Sequence, residues 1–202
     1  MNKAIALTKL FAVLCKNPSN PKVFWAIMRL ASGKGREKSI KRFEESEIGK
    51  KVLKENLSLL STMKNLDTSK EGSVAEYYDI FCKYWNIDRL AIEKEFQLDG
   101  RKPRNTREVL FQRQLAYHEL IHVILGYEPT FKGEMQVVMF HFGQSHNWGF
   151  VLIAMAIAWR YISSPYLMWK AYKRGKNTTP FDLLDWETLL NMNINEVKRM
   201  FA

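Results

Sequence analysis

The sequence has few of the residues that mark several classes of protein. Among 202 residues there are two cysteines, Cys15 and Cys82. Both lie in apolar surroundings, so we expect a reducing compartment and no disulfide framework. The longest apolar run, 148–159 (WGFVLIAMAIAW), has twelve residues before Arg160. A bilayer span needs about 20, so this run predicts a buried core helix or the wall of a lipid-lined pocket.

Acidic residues are also scarce relative to basic ones. Lys and Arg number 31 against 21 Asp and Glu, a net charge of +10, which favours an anionic partner. No nucleic-acid recognition motif accompanies the charge, so no nucleic acid is expected. Basic segments at 34–42, 100–103 and 173–176 predict solvated helix ends or contact with an anionic membrane surface. The first residues, MNKAIALTKLFAVLCKN, read as an amphipathic helix and not as a signal peptide.

Strand patterns and internal repeats are missing, whereas helical periodicity runs through the whole sequence. Apolar residues recur at spacings of three and four in eight segments. These are 4–14, 23–30, 48–63, 74–85, 110–125, 135–142, 150–172 and 181–190. We therefore predict an all-α fold, a single domain of roughly eight helices over residues 1–202.

Histidines are few and clustered. There are four, and all fall between residues 118 and 146. Two belong to the pentapeptide His118-Glu119-Leu120-Ile121-His122. Residues four apart in a helix nearly overlay, so the two imidazoles project from one side, with Glu119 beside them. Gly126 follows where a helix C-cap glycine belongs.

A second helix is predicted to start near Phe131, after a tight turn that contains Pro129, with Glu134 about one turn in. Helices joined by such a turn fold back on each other, which brings Glu134 opposite His122. Two imidazoles and one or two carboxylates make a divalent metal site. Such ligands suit zinc, iron or manganese, and carboxylates with water could hold magnesium. His141, seven residues beyond Glu134, falls on the same side of the second helix.

A zinc protease is a minor alternative for the same pentapeptide, because it matches the zincin motif, in which the glutamate is a general base. Glu128 occupies the place of a third ligand. The metzincin pattern, however, needs glycine at position 125, where Leu125 stands. Zincins also align their peptide substrate along a sheet, and the chain upstream reads as helical.

The spacing His118-Glu119-x-x-His122-x11-Glu134 resembles the signature of the ubiquinone-biosynthesis family called Coq-four, in which the motif is His-Asp-x-x-His, eleven residues, then Glu. Gly133-Glu134 and the later Gln144-Ser145 are similar to the family's Gly-Glu and Gln-Thr. Upstream, the segment GSVAEYYDIF at 72–81 resembles the family's Gly-Thr-x-x-x-x-Tyr-x-x-Phe. The likeness covers about residues 60–150.

Three departures from the family pattern identify a divergent, bacterial member. Glu119 replaces an aspartate, His141 stands where an acid is expected, and Asn147-Trp148 replaces a Leu-Pro pair. The resemblance implies an all-helical fold, a divalent metal, for which the motif favours zinc, and a cytoplasmic homodimer peripheral to the membrane. It implies a role in coenzyme Q biosynthesis, in removal of the ring carboxylate from a polyprenylated benzoate, with hydroxylation at that carbon, or in organising the biosynthetic complex.

These implications give each candidate residue an expected role. His118, His122 and Glu134 hold the metal, with Glu119 as fourth ligand or general base. Tyr117 or His141 moves protons. With these roles the protein is expected to be a metal-dependent decarboxylase, a lyase. Arg113 binds the anionic head of a prenylated lipid. An apolar groove for the tail is lined by Tyr78, Phe81, Phe140, Phe142 and the 148–159 run, with Gln144 nearby.

Two alternatives stay open at the level of sequence. For any single aromatic residue, ordinary core packing is an alternative to lining a groove. The protein as a whole could also be a non-catalytic carrier of prenyl lipid, or a scaffold, in which the metal only clamps the head group.

Overall fold

The computed structural model describes residues 2–17, 20–31, 33–89, 94, 102–161 and 165–201. Twelve α-helices lie within these ranges, with one 3₁₀ helix at Phe181–Leu183. The helices are α1 Lys3–Lys16, α2 Pro21–Ala31, α3 Gly33–Glu45, α4 Glu47–Glu55, α5 Leu59–Lys64, α6 Val74–Tyr84, α7 Thr106–Leu125, α8 Phe131–Ser145, α9 Trp148–Tyr161, α10 Pro165–Asn177, α11 Trp186–Leu189 and α12 Ile194–Met200.

The all-α prediction is confirmed, because the described ranges contain no strand beyond an isolated antiparallel bridge between Ser73 and Asn193. The helices outnumber the eight predicted, partly because two long segments divide. Asn56 adopts a left-handed conformation (φ 53°) and caps α4, and Ser58 caps α5. Pro165 begins α10, where a proline fits the first helical position. Residues 162–164 of the same predicted segment lie outside the described residues.

Helices α3 and α12 were not predicted. The α3 sequence, GKGREKSIKRFEE, has two glycines in its first turn and few apolar residues, but Phe43 and Ser39 are buried on one side of it. In α12, Asn193 caps the first turn by accepting from the amide of Asn195, and Val197 is buried. The pair Thr179-Pro180, a typical N-cap residue followed by a proline, precedes only the 3₁₀ helix.

Two compact units make up the chain, residues 1–39 with 127–180 and residues 40–126 with 181–202. A single domain over 1–202 therefore stays a prediction. Of the three basic segments, 34–42 lies in α3 and 173–176 lies in the last turns of α10. Gly100 and Arg101 of the third lie outside the described residues.

The first unit is built around α8, against which α9 and α10 both pack, while α9 also contacts α1 and α2. Two glycines let α8 and α10 approach closely. A Cβ on Gly175 would lie 2.1 Å from the carbonyl oxygen of Phe140, and one on Gly143 would lie 2.3 Å from that of Tyr172. The core of this unit includes Leu14, Ile27, Met135, Val138, Phe150, Ile153, Ile157 and Ala171.

The second unit is built around α7, which packs against α5, α6, α12 and the 3₁₀ helix. Two ion pairs are embedded in it. The guanidinium of Arg113 donates to the carboxylate of Glu187 at 2.9 Å and to the carbonyl of Leu184 at 3.2 Å. Arg42 donates to both carboxylate oxygens of Asp182, at 2.9 and 2.8 Å.

None of the helices within the described ranges is both long enough and apolar enough to cross a bilayer. Helix α9 has 14 residues, which agrees with the prediction from the length of its apolar run.

Candidate functional site

Helix α7 carries both histidines of the pentapeptide. Its start is capped by Asn105, whose side chain accepts from the amide of Glu108, and its end by Gly126 (φ 71°), whose amide donates to the carbonyl of His122 at 2.9 Å. The left-handed backbone at this position favours glycine. The ring centroids of His118 and His122 are 5.3 Å apart. His122 is buried and His118 is half-buried, so the pair is approached from the His118 side.

Helix α6 supports the inner histidine. Ser73 caps it by accepting from the amide of Glu76, and the Glu76 carboxylate accepts from the amide of Gly72, the residue before the cap, at 2.7 Å, a variant of the capping box. Two turns later, the ring of Phe81 stacks on the imidazole of His122, with centroids 6.1 Å apart and planes 21° apart. The Phe81 ring therefore restricts the orientation of the His122 imidazole and excludes water from one of its faces.

A second group of polar side chains lies between α6 and α7. Tyr78 and Cys82 are buried, and the Tyr78 hydroxyl donates to the Cys82 sulfur. Burial raises the pKa of Tyr78 and raises the pKa of the Cys82 thiol to about 11. The negative charge of Glu119 contributes to both shifts, so its carboxylate lies near these two groups. Glu119 is half-buried, so solvent only partly screens its charge from Tyr78 and Cys82.

Glu134 lies in the first turn of α8, as predicted. Thr130 caps this helix, accepting from the amide of Gly133 at 3.4 Å, and its carbonyl accepts from the amide of Glu134 at 2.8 Å. A Cβ on Gly133 would lie 1.7 Å from the carbonyl oxygen of Glu128. Only glycine leaves space for the turn before α8 to pack against its first residues, which explains the Gly-Glu pair. Glu134 itself is half-buried.

Replacing Gly133 by alanine is expected to lower the free energy of unfolding by about 1–3 kcal/mol, the usual cost of forcing atoms into a filled space. A backbone carbonyl cannot rotate aside as a side-chain end can, so the turn has to move. Lys132→Ala, an exposed neighbour on the same turn, is the matched control. Denaturant unfolding of both variants measures the difference, and equal midpoints for the two would contradict the packing explanation.

Two candidates on α7 have contacts of a different kind from those expected. Tyr117 is buried; its ring stacks on Trp186 at 5.6 Å and meets Phe181 edge-on at 6.1 Å, and burial raises its pKa. Arg113 is 1% exposed and is already paired with Glu187. Proton transfer by Tyr117 and head-group binding by Arg113 stay predictions that these contacts do not support.

The remaining candidates lie on α8, in the other unit. His141 is buried with its ring parallel to that of Phe150, at 4.9 Å and 6°. Phe140 is completely buried, and its carbonyl faces Gly175 at the contact with α10. The amide nitrogen of Gln144 donates to the carbonyl of Thr179 at 3.1 Å. Phe140 thus packs as an ordinary core residue, and Gln144 ties the end of α8 to the segment after α10.

Sequence reasoning missed some of the residues that shape this region. The partner of Arg113, Glu187, is 74 residues away in sequence, and no local pattern connects the two. Cys82 was interpreted only as a free thiol, although its spacing of four from Tyr78 on a predicted helix was a usable signal.

Comparison with known proteins agrees with this architecture. A crystal structure of a protein from Nostoc punctiforme PCC 73102, described as a candidate ubiquinone biosynthesis protein, superimposes with a TM-score of 0.65 over 98% of this chain and 95% of that one. At 13% identity the likeness shows the fold alone. A search of curated proteins gives no significant match. The family model described as coenzyme Q (ubiquinone) biosynthesis protein Coq4 matches residues 7–202. The chain therefore belongs to the Coq4 family of coenzyme Q biosynthesis proteins.

Proposed function

We propose that the protein holds a divalent metal through His118, His122 and Glu134 and acts with it on a polyprenylated benzoate in coenzyme Q biosynthesis. The observation that carries the proposal is the separation of the ligand atoms. One ring nitrogen of each histidine and one carboxylate oxygen of Glu134 all lie within 4.8 Å of one another. This is the donor set that the family signature predicts.

The donor set fits a metal ion. Three ligands at about 2.1 Å from zinc lie about 3.4 Å apart in tetrahedral geometry, so side-chain rotation that shortens the separations by at most about 1.4 Å completes the coordination. Two imidazoles and a carboxylate are ligands that zinc, iron and manganese share. Three protein ligands leave a position open for a substrate oxygen, as in catalytic and not structural sites.

Two side chains beside the proposed ligands have separate roles. Phe81 keeps the imidazole of His122 in one orientation by stacking on it, and an oriented ligand binds metal more tightly than a rotating one. Glu119 is adjacent in sequence to His118, is half-buried and is near Tyr78 and Cys82. We assign to Glu119 the role of fourth ligand or of the group that moves a proton.

The proposed reaction is loss of the ring carboxylate. The bond between the ring carbon and the carboxylate breaks, carbon dioxide leaves, and a proton takes its place on the ring carbon. A metal at this position supplies positive charge that stabilises the negative charge developing in that step. Hydroxylation at the same carbon in addition requires an oxidant such as dioxygen.

The substrate class agrees with the charge of the protein. A polyprenylated benzoate is a membrane lipid with an anionic head, and the chain carries a net charge of +10. Surplus positive charge holds a protein on an anionic bilayer. Cytoplasmic, peripheral attachment to the membrane, a prenyl-lipid groove and a homodimer belong to the proposal.

A non-catalytic carrier or scaffold is the second candidate function, and one observation favours it. Tyr117 is enclosed by aromatic rings and His141 is stacked on Phe150, so both proton-transfer candidates other than Glu119 are packed in the interior. A protein that only clamps a head group needs no such residue. The structure gives no support to the protease alternative, because no strand that could align a peptide substrate occurs within the described ranges.

The test uses the purified full-length protein. Mass spectrometry of co-purified lipid and elemental analysis of bound metal are expected to give a prenylated aromatic and about one divalent ion per chain. Release of carbon dioxide from a carboxyl-labelled polyprenylbenzoate should stop on chelation and return on adding metal. Bound lipid and metal with no turnover under air would support the carrier, and protein without stoichiometric metal would contradict both.

A further inference from the structure

Helix α9 exposes large apolar side chains along one side. Trp148, Met155 and Trp159 are 64%, 51% and 83% exposed. At 100° per residue these positions fall within about 40° of one another, in one stripe about 16 Å long. The opposite side, with Phe150, is buried in the core of the unit. The most apolar helix of the protein is therefore only half covered.

Helix α10 has a similar face. Tyr166 and Trp169 are 68% and 55% exposed, and Lys170 and Lys173 are exposed one turn apart on the same side. The ammonium group of Lys173 lies over the ring of Trp169, 5.6 Å from its centroid. This face therefore combines aromatic rings with positive charge, which are the residue types found where a protein meets the headgroup region of a membrane.

A row of aromatic rings joins the two faces. Trp148 contacts Phe142 at 5.3 Å, Phe142 contacts Tyr172 at 5.4 Å, and Tyr172 contacts Trp169 at 5.3 Å between ring centroids. Phe142 and Tyr172 are partly buried against the core. Trp148 and Trp169, both exposed, are therefore joined through packed rings. We call the exposed side chains of α9 and α10 the aromatic surface; they are Trp148, Met155, Trp159, Tyr166, Trp169, Lys170 and Lys173.

The charged residues of α9 and α10 are all of one sign. No aspartate or glutamate occurs between Glu134 and Asp182, a stretch that contains all of α9 and α10. Basic residues in α10 are Lys170, Lys173, Arg174 and Lys176. An anionic lipid surface repels acidic side chains and attracts basic ones, so a stretch with four basic residues in α10 and no acid fits such a surface.

We propose that the aromatic surface is the part of the protein that inserts into the headgroup region of an anionic bilayer. Trp148, Trp159, Tyr166 and Trp169 lie among the headgroups, and Lys170 and Lys173 contact lipid phosphates. The inference rests on the proposed function for its membrane partner and adds which surface makes the contact. It also narrows the prediction for the 148–159 run, because the side with Phe150 is core and the side with Trp159 is exposed.

The test measures binding to vesicles of phosphatidylcholine mixed with phosphatidylglycerol, by co-sedimentation of the full-length protein. The double substitution W159S with Y166S is expected to weaken binding about tenfold or more, because it removes the two most exposed rings of the surface. The pair K170Q with K173Q should weaken binding roughly fivefold per lysine. It should have no effect on vesicles of phosphatidylcholine alone.

Two control variants locate the effect. Tyr84→Ser removes an aromatic residue that is 79% exposed in the other unit, and should bind as the wild type does. K34Q with K38Q removes charge from a basic cleft that Lys3, Arg29, Lys34 and Lys38 line with Glu37, and should bind better than K170Q with K173Q. Equal binding of wild type and W159S/Y166S would overturn the inference, as would a larger loss in the cleft variant.

A further outcome would assign the surface differently. Self-association by sedimentation velocity that disappears in W159S/Y166S, without any vesicle binding by the wild type, would make the surface a contact between two copies and overturn the proposal. Metal content separates this test from that of the proposed function. The W159S/Y166S variant should keep its metal even where vesicle binding is lost, and a protein without metal should still bind vesicles.

Discussion

Replacing His122 by alanine is expected to abolish stoichiometric metal binding and, with it, chelator-sensitive turnover. The variant removes one of three proposed protein ligands, and the affinity should fall by more than about 100-fold, the upper range for loss of a residue that merely supports a ligand. Elemental analysis after dialysis measures the stoichiometry, and circular dichroism reports whether the helices survive. Metal retained at the wild-type level in this variant would refute the ligand assignment.

The position of His122 requires care in choosing controls. Its ring is buried against Phe81, so alanine also leaves a cavity that costs stability. His118→Ala removes the half-buried ligand with less loss of packing, and should lose metal as well. His146→Asn is the matched control, because His146 is exposed and adopts a left-handed conformation (φ 52°) that asparagine tolerates. It should keep both metal and stability.

Glu187→Gln is expected to lower the free energy of unfolding by about 3 kcal/mol, without involving the proposed metal ligands. The guanidinium of Arg113, which is 1% exposed, loses its anionic partner. It keeps the carbonyl of Leu184 as a hydrogen-bond acceptor. Breaking a buried pair from one side costs about 3–5 kcal/mol, because a charge stays behind in the interior. Urea unfolding at neutral pH measures the loss.

Two further variants show whether the remaining charge is the cause. Arg113→Met combined with Glu187→Gln should recover much of the stability, since an apolar side chain needs no partner in the interior. Glu47→Gln removes an exposed ion pair with Lys50 at 2.8 Å and should leave the unfolding midpoint unchanged. A double variant as unstable as Glu187→Gln alone would show that lost packing, not unpaired charge, explains the effect.

The elements with strong local signals could be predicted from the sequence. The Gly126 cap of α7 and the start of α8 at Phe131 follow from apolar periodicity with a cap residue at the expected place, whereas α7 begins at Thr106, four residues before the predicted segment. Helix α3 could not be predicted, because Phe43 is its only fully buried apolar side chain, packed with Val52 and Leu110. A helix with one fully buried apolar side chain leaves little periodicity to detect.

Some features of the candidate site could likewise be predicted from the sequence, and others could not. The closeness of His118 and His122 depends only on helix geometry, and their rings lie 5.3 Å apart on α7; their role as metal ligands stays a proposal. The assignment of Arg113 depended on charge alone, and which carboxylate neutralises a charge is decided by tertiary packing. The exposure of Trp159 could not be predicted either, because hydropathy measures how apolar a segment is and not which side of it other helices cover.

The first turn of α6, the helix whose Phe81 stacks on His122, is hydrogen-bonded to residues 190–194. The amides of Val74 and Ala75 donate to the carbonyls of Met192 and Leu190 at 3.0 Å, and the amide of Ile194 donates to the carbonyl of Gly72 at 2.9 Å. The first turn of the helix that carries Phe81 is thereby fastened by residues more than a hundred positions downstream. A signature that contains only the histidines and the glutamate omits these hydrogen bonds. The orientation of the His122 imidazole nevertheless depends on them, through the helix that carries Phe81.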